Sequence, residues 1–271
     1  MPVVIDSGVP ASRTRTSFVL WNDVMSRNVG TFTSAGDAVD YPGENAIDPA
    51  TYNNWRGSGA TTSITRILVN NNTIDTLAIC GHNLASSAAT IRLWYSVDGG
   101  SNWTPAMDAY TPLTDDDFII MLPEVTGNAF WLVVNNGPAN VAVAMVGRAT
   151  YFPHPPVDSY TPLHHARRYT KLYNRSMTGQ LLSNRVMGAG AETDIDFGFV
   201  QRDFVDAGLR GFEDHYNRGG TFFFASWPAG KPQDMGYCWA PDEDSIVAVE
   251  YMEADKLANV SFSVASYVGV K

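Results

Sequence analysis

The sequence predicts a mostly β chain, with a sandwich in the N-terminal half followed by a second β-rich domain that carries one packed helix. Three observations predict it. Short segments rich in Ile, Val, Trp and Phe recur through the first half between clusters of Asn, Gly, Asp and Pro. A proline-dense stretch, "YFPHPPVDSYTP" at Tyr151–Pro162, interrupts them, because proline cannot continue a ladder and stiffens the backbone. Beyond it a single segment has helical spacing.

Taken in order, Ile64–Val69, Thr76–Cys80, Thr90–Ser96, Phe118–Leu122, Phe130–Val134 and Val141–Phe152 each read as a strand. "VDGGSNW" at Val97–Trp103 is a hairpin signal, since Gly99 and Gly100 can take positive φ. In the second half, Phe204, Val205, Leu209, Phe212 and Tyr216 fall three to four residues apart and mark one face of a helix over 203–217. Asp203 is placed to cap its start, and Gly219–Gly220 to end it. Gly208 and Gly211 weaken it by up to about 1 kcal/mol each relative to Ala, so packing must hold it. Strands are expected at Thr221–Trp227, Ile246–Met252 and Asn259–Val268; in the last, Val260, Phe262 and Val264 alternate with polar residues. The expected division is an N-terminal arm over 1–16, a sandwich over 17–152, a linker over 153–168 and a β-rich domain over 169–271.

The chain has 271 residues and a formal net charge of −10. Both halves are acidic, which disfavours a nucleic-acid partner. No stretch reaches the eighteen or so apolar residues that a spanning helix needs, so membrane insertion is not expected. The N-terminal segment lacks a basic region followed by an apolar core and does not read as a signal peptide. Cys80 and Cys238 sit in apolar contexts at no zinc or redox spacing and read as buried thiols.

Catalysis needs convergent groups, and the sequence offers few. His164–His165 precede Arg167–Arg168 on the linker, with no ligand spacing around them. His82 follows an apolar strand and reads as a turn or core histidine, and His215 as a helix-surface residue. The run Asp115–Asp117 lacks the alternating oxygens and final glutamate of an EF-hand loop. No nucleophile elbow, zinc-helix, phosphate-loop or dinucleotide motif occurs. The expectation is therefore that the chain is not an enzyme.

Four stretches of the first half share an order: "NAIDPATYNNW" from Asn45, "TSITRILVNNNTIDTLAICGHN", "ATIRLWYSVDGGSNW", and the closing "AFWLVV" and "AVAMVGRATYF". Together they resemble the galactose-binding-like jelly roll of discoidin and coagulation-factor C-type domains and of carbohydrate-binding modules. Asn45, Ala46, Asp48, Thr51, Trp55, Ser96, Asp98, Gly99 and Trp103 occupy the pattern's places. The resemblance implies a jelly-roll sandwich over 17–152 and, in its first turn, a structural calcium held by Asp48 and Thr51. Pro49 departs from the glycine usual there, and Asp48 capping its own turn is the alternative to the ion. Trp55 is either a sugar platform or a core plug, with the family pattern favouring the core. Tyr52, Arg56 and Trp103 are the candidate carbohydrate contacts.

A second resemblance spans both halves. "LAICGHNLASSAATIRLWYSVDGG" and "DFGFVQRDFVDAGLRGFEDHYNRGGTFFFASWP" are similar to segments of minor and distal tail proteins of tailed bacteriophages. This implies a virion protein near the tail tip or baseplate, made in the bacterial host cytoplasm. Such a protein would form a ring with copies of itself and contact the tail tube, hub and tape measure. The implied alternative is a carbohydrate-binding module that recognises bacterial surface glycan. No cofactor beyond the calcium is implied.

Overall fold

The computed structural model describes residues 3–27, 29–157, 159–252 and 256–267. The first sheet holds β1 (Val3–Ile5), β3 (Thr31–Ala35), β4 (Trp55–Arg56), β5 (Thr61–His82), β6 (Thr90–Ser96), β7 (Thr104–Pro105), β8 (Phe118–Asn135) and β9 (Asn140–Gly147). The second holds β2 (Phe18–Leu20), β10 (Thr150–Tyr151), β11 (Arg167–Arg175), β12 (Leu181–Gln201), β13 (Phe222–Ala225), β14 (Met235–Trp239), β15 (Ala248–Tyr251) and β16 (Leu257–Tyr267). The chain is a mostly β protein: a jelly-roll sandwich followed by a β-rich domain with a packed helix.

Two long strands make the sandwich from one sheet. Residues 63–67 of β5 pair with β3 on one side, and residues 61–67 pair with residues 129–135 of β8 on the other. After a register shift between Ile67 and Asn72, residues 76–79 pair with 118–121 of β8, and 76–82 with β9. The shift turns each strand from one layer into the other. Ile64, Leu93 and Leu132 from one layer then meet Leu77, Ile79 and Phe118 from the other in a single core. The sequence reads Asn70–Asn72 as a break between strands. Here they carry one strand across the exposed edge, where Asn72 pairs with Gly127 and the Thr73 hydroxyl meets that of Thr126 at 2.9 Å. The predicted pair Phe118–Leu122 and Phe130–Val134 likewise fuse into β8.

The second domain joins the sandwich through buried surface. The outer side of the β5–β8–β9 layer presents Ala78, Ile119, Met121, Val143 and Met145 to Phe18, Leu20, Phe223 and Tyr237 of the second sheet. That sheet's other face packs Phe197, Phe222, Val260 and Phe262 on the helix. β2 and β10 belong to this second sheet, so the span 17–152 contributes strands to both. Of residues 1–16, β1 runs parallel to β8, and α1 (Ala11–Thr14) follows it.

The helical segment is present with a different first half. Phe204–Leu209 is a π-helical turn that runs directly into α2 (Arg210–Asn217). Asp203 is itself helical and makes no capping hydrogen bond. The end matches expectation: Gly219 takes φ +76°, and the Gly219 and Gly220 amides donate to the carbonyls of Tyr216 and His215. Val205, Leu209, Phe212 and Tyr216 are all buried. The strand expected over 259–268 is β16, whose burial alternates residue by residue; residue 268 lies outside the described residues.

Residues 160–163 of the expected linker are docked on the second domain. Buried Asp234 accepts hydrogen bonds from the Leu163 amide at 2.8 Å, the Tyr160 hydroxyl at 3.0 Å and the Ser226 hydroxyl. β11 and β12 then form a long hairpin that the sequence reading does not single out.

Candidate functional site

The turn that opens the jelly roll is built as follows. A 3-10 turn over Gly43–Ile47 leads into Asp48, whose Oδ1 accepts the Ala50 amide at 2.9 Å. The Pro49 carbonyl accepts the Tyr237 hydroxyl at 2.8 Å, which ties the turn to the second sheet. Thr51 faces a cleft described below. Among the described residues no group of three or more His, Cys, Asp or Glu side chains is placed to hold a metal ion. Trp55 is 1 % exposed and sits in the sandwich core, its Nε1 donating to Asp37 Oδ1 at 2.8 Å. It is a core plug, not a platform.

The three candidate sugar contacts lie in two places. Tyr52 is 82 % exposed, and Arg56 on β4 stacks over the ring of Tyr41 at 5.8 Å. Trp103 lies on the far layer, half-buried, its ring 5.5 Å from that of Trp131. Trp131 in turn faces its cross-strand partner Trp94 at 6.2 Å. The glycine hairpin delivers Trp103 there. Gly99 and Gly100 take φ +72° and +89°, and the Ser96 hydroxyl and the Asn102 side-chain amide and backbone N–H all donate to Asp98. These bonds hold the Asp98 carboxyl down at about 2.

A broad concavity lies between the two domains. This cleft has a volume of about 860 Å³. Thr51, Asn54, His82 and Asp115–Asp117 line it from the jelly roll; His164, Arg167, Tyr169, Gln233 and Tyr267 line it from the second domain. Neither the Tyr52–Arg56 surface nor Trp103 contributes to it.

Most of its jelly-roll groups are held by the backbone. The Gly81 amide donates to Asp117 Oδ1 at 2.9 Å. Burial pushes the Asp117 carboxyl up, against that bond. Asp115 Oδ1 accepts the Ala85 and Ser86 amides at 2.9 and 3.0 Å. Burial opposes its charge, but the Ser86 and Ala85 bonds prevail and hold it below the usual carboxylate range. His82 Nδ1 accepts the Leu84 amide at 3.2 Å, which leaves Nε2 to donate to the Asp116 carbonyl at 2.9 Å. Burial lowers the His82 pKa, so its ring is neutral near pH 7.

On the other wall, His164 Nδ1 is buried and 3.8 Å from Asp234 Oδ1, with no hydrogen-bond partner among the described residues. Burial and neighbouring His165 lower its pKa despite Asp234. The cleft therefore offers neutral imidazoles, fixed carboxylates, amides, hydroxyls and two tyrosine rings. The sequence shows the residues singly, but their meeting depends on how the second domain docks on the first.

Compared with known proteins, the chain matches no family model and no curated protein. Solved structures with similar coordinates include a pectin-binding carbohydrate-binding module, at 15% identity over 44% of this chain and 90% of that one, with a TM-score of 0.37. Another is a CBM32 module of a Clostridium perfringens protein in complex with GalNAc-β-1,3-galactose, at 16% identity over 46% of this chain and 99% of that one, TM-score 0.40. A third is a chitosan-binding module of a chitosanase/glucanase from Paenibacillus sp. IK-5, at 17% identity over 46% of this chain and 98% of that one, TM-score 0.37.

Proposed function

We propose that the chain is a glycan-binding protein, not an enzyme, and that its ligand is a bacterial surface polysaccharide. The single observation that carries this reading is the cleft of about 860 Å³ between the domains. Large clefts at domain junctions with convergent polar groups are where small ligands bind. This one suits a sugar. Carboxylates and amides accept and donate to hydroxyls, and the rings of Tyr169 and Tyr267 supply apolar faces for the sugar's C–H surface. The fixed hydrogen bonds of Asp115 and His82 support binding over chemistry, because both groups are already committed to the backbone.

The test uses the full chain on an array of bacterial surface glycans, followed by titration calorimetry. Gln233→Ala and Tyr267→Ala are expected to weaken binding at least tenfold, about 1.4 kcal/mol or more. Trp103→Ala and Arg56→Ala are expected to leave it within twofold. The opposite pattern moves the site to the loop tips, and no glycan bound at all refutes the reading.

A second reading is favoured by a separate observation, the exposed β11–β12 hairpin. In this reading the chain is a structural subunit of a long bacteriophage tail near the tip or baseplate, packed against other tail proteins. Two-stranded hairpins are marginal alone in water, so a long one carrying large apolar side chains needs a partner. Mass spectrometry of purified particles tests this reading, and absence of the chain from them refutes it.

A further inference from the structure

The β11–β12 hairpin has an unusual composition for this molecule. Between Arg167 and Arg185 lie five Lys or Arg residues and no Asp or Glu, so the remainder of the chain carries 13 basic and 28 acidic residues. Arg168 is paired with Glu192, but Lys171, Arg175 and Arg185 make no ion pair among the described residues. The same stretch exposes Leu172, Tyr173, Met177, Leu181 and Leu182, none of which enters a core. Single apolar residues scattered over a surface are ordinary; several large ones on one ribbon mark a contact surface.

The strand register spreads both kinds of side chain over both faces. Residues directly opposite each other in an antiparallel pair share a face, and neighbours along a strand alternate. Tyr173 pairs with Asn184 and Lys171 with Val186, which puts Lys171, Tyr173 and Val186 on one face. Leu172 pairs with Arg185 on the other. At the end of the ladder Arg175 pairs with Leu181, and Met177 lies in the turn between them. A rigid partner laid against such a ribbon covers one face and leaves the other apolar set in water. A fluid interface takes in the tip with both faces at once. Lipid phosphates there answer the cations, and acyl chains cover the Leu and Met side chains.

We infer that the tip of this hairpin adsorbs to an anionic phospholipid bilayer. Its depth is limited to the boundary between headgroups and acyl chains, about 5–10 Å. Only helices and closed barrels keep every backbone group paired in hydrocarbon, and β11 is an edge strand of an open sheet. The chain therefore rests on the membrane and does not cross it. The inference is independent of glycan binding in the cleft, and it gives the arm a lipid cover in place of the tail proteins of the second reading.

The experiment is co-sedimentation of the full chain with vesicles of phosphatidylglycerol and phosphatidylcholine in equal parts, against vesicles of phosphatidylcholine alone. Neither lipid carries a sugar, so a failure here leaves the glycan reading standing. Binding is expected to the anionic vesicles only, and it weakens as salt rises. Lys171→Gln, Arg175→Gln and Arg185→Gln combined should lower partitioning about a hundredfold, each cation contributing about fivefold near such a surface. The melting midpoint should not change, because these side chains lie outside every core. Leu181→Ser with Leu182→Ser should lower partitioning about tenfold or more at constant charge. An environment-sensitive dye on Met177→Cys should shift to the blue on anionic vesicles, and the same dye on Val97→Cys, an exposed position of the jelly roll, should not. Cys80 and Cys238 are buried and do not compete for the label. A chain that ignores anionic vesicles, or binds both kinds alike, overturns the inference. So do a charge-neutralised arm that binds like wild type and a dye at position 177 that stays in water.

Discussion

At the scale of single residues, burial decides roles that side-chain identity leaves open. Trp55 could be platform or plug by sequence; Asp37 beneath its indole and the surrounding core make it a plug. Asp23 shows the same effect on charge. Its Oδ1 accepts the Met25 and Val146 amides at 3.0 and 2.9 Å, and Oδ2 accepts the Ser26 amide at 2.9 Å. Burial still outweighs those bonds and pushes the carboxyl up to about 6. The native state then holds a proton between about pH 4 and 6 that the unfolded chain has released, so this group's contribution to stability falls as pH rises through that window. The stability difference between wild type and Asp23→Asn should therefore shift against wild type from pH 4 to 7, by up to about 3 kcal/mol in urea melts. A difference that is flat with pH refutes the raised value. Nothing in the local sequence around Asp23 signals this, because Val146 comes from the far end of the sandwich.

At the scale of elements, periodicity locates most of the structure, and packing sets its details. The alternation Val260, Phe262, Val264 survives intact in β16, and the 3–4 spacing from Val205 to Tyr216 survives as the buried helix face. What local pattern missed is continuity. Asn70–Asn72 carry turn-like residues, yet they lie inside one 22-residue strand: the ladder shifts register after Ile67 and resumes at Asn72, so the strand bends over the sandwich edge with its polar side chains exposed. The helix glycines show the limit of propensity. An Ala Cβ at Gly211 would sit 2.9 Å from the Trp21 ring. That ring is pinned by its Nε1 bond to Thr150 and by His215 at 5.4 Å. Gly211→Ala should therefore destabilise by about 1 kcal/mol or more, although helix propensity alone favours Ala by about that much. A lower midpoint in urea supports this; a higher one means the Trp21 ring moves freely.

At the scale of the molecule, the two domains share one buried seam. Phe223 and Tyr237 from the second sheet cover Ile119, Met121 and Val143 of the sandwich, and Arg13 bridges buried Asp75 at 3.3 Å and Glu124 at 2.5 Å beside it. Heat should accordingly unfold the chain in a single calorimetric transition, and residues 17–152 expressed alone should aggregate or bind a hydrophobic dye, their seam being exposed. Two resolved transitions would mean the seam contributes little. Phe223→Asp buries an unpaired charge in that seam and should prevent folding of the full chain; a well-folded variant would refute the assignment of Phe223 to the seam.

Composition, alternation and turn residues by themselves determined that this chain is sheet-rich, that its first half closes into a sandwich around Ile, Leu and Phe, and that one helix packs late in the sequence. These features depend on neighbours within a few residues, and such spacing is written along the chain. Only the tertiary structure decided that β2 and β10 cross into the second sheet, that Thr51, His82 and Gln233 face one cleft, and that the basic hairpin stands clear of the acidic body. Each of those outcomes joins residues far apart along the chain, and which apolar face covers which is settled by shape and buried area when the layers meet.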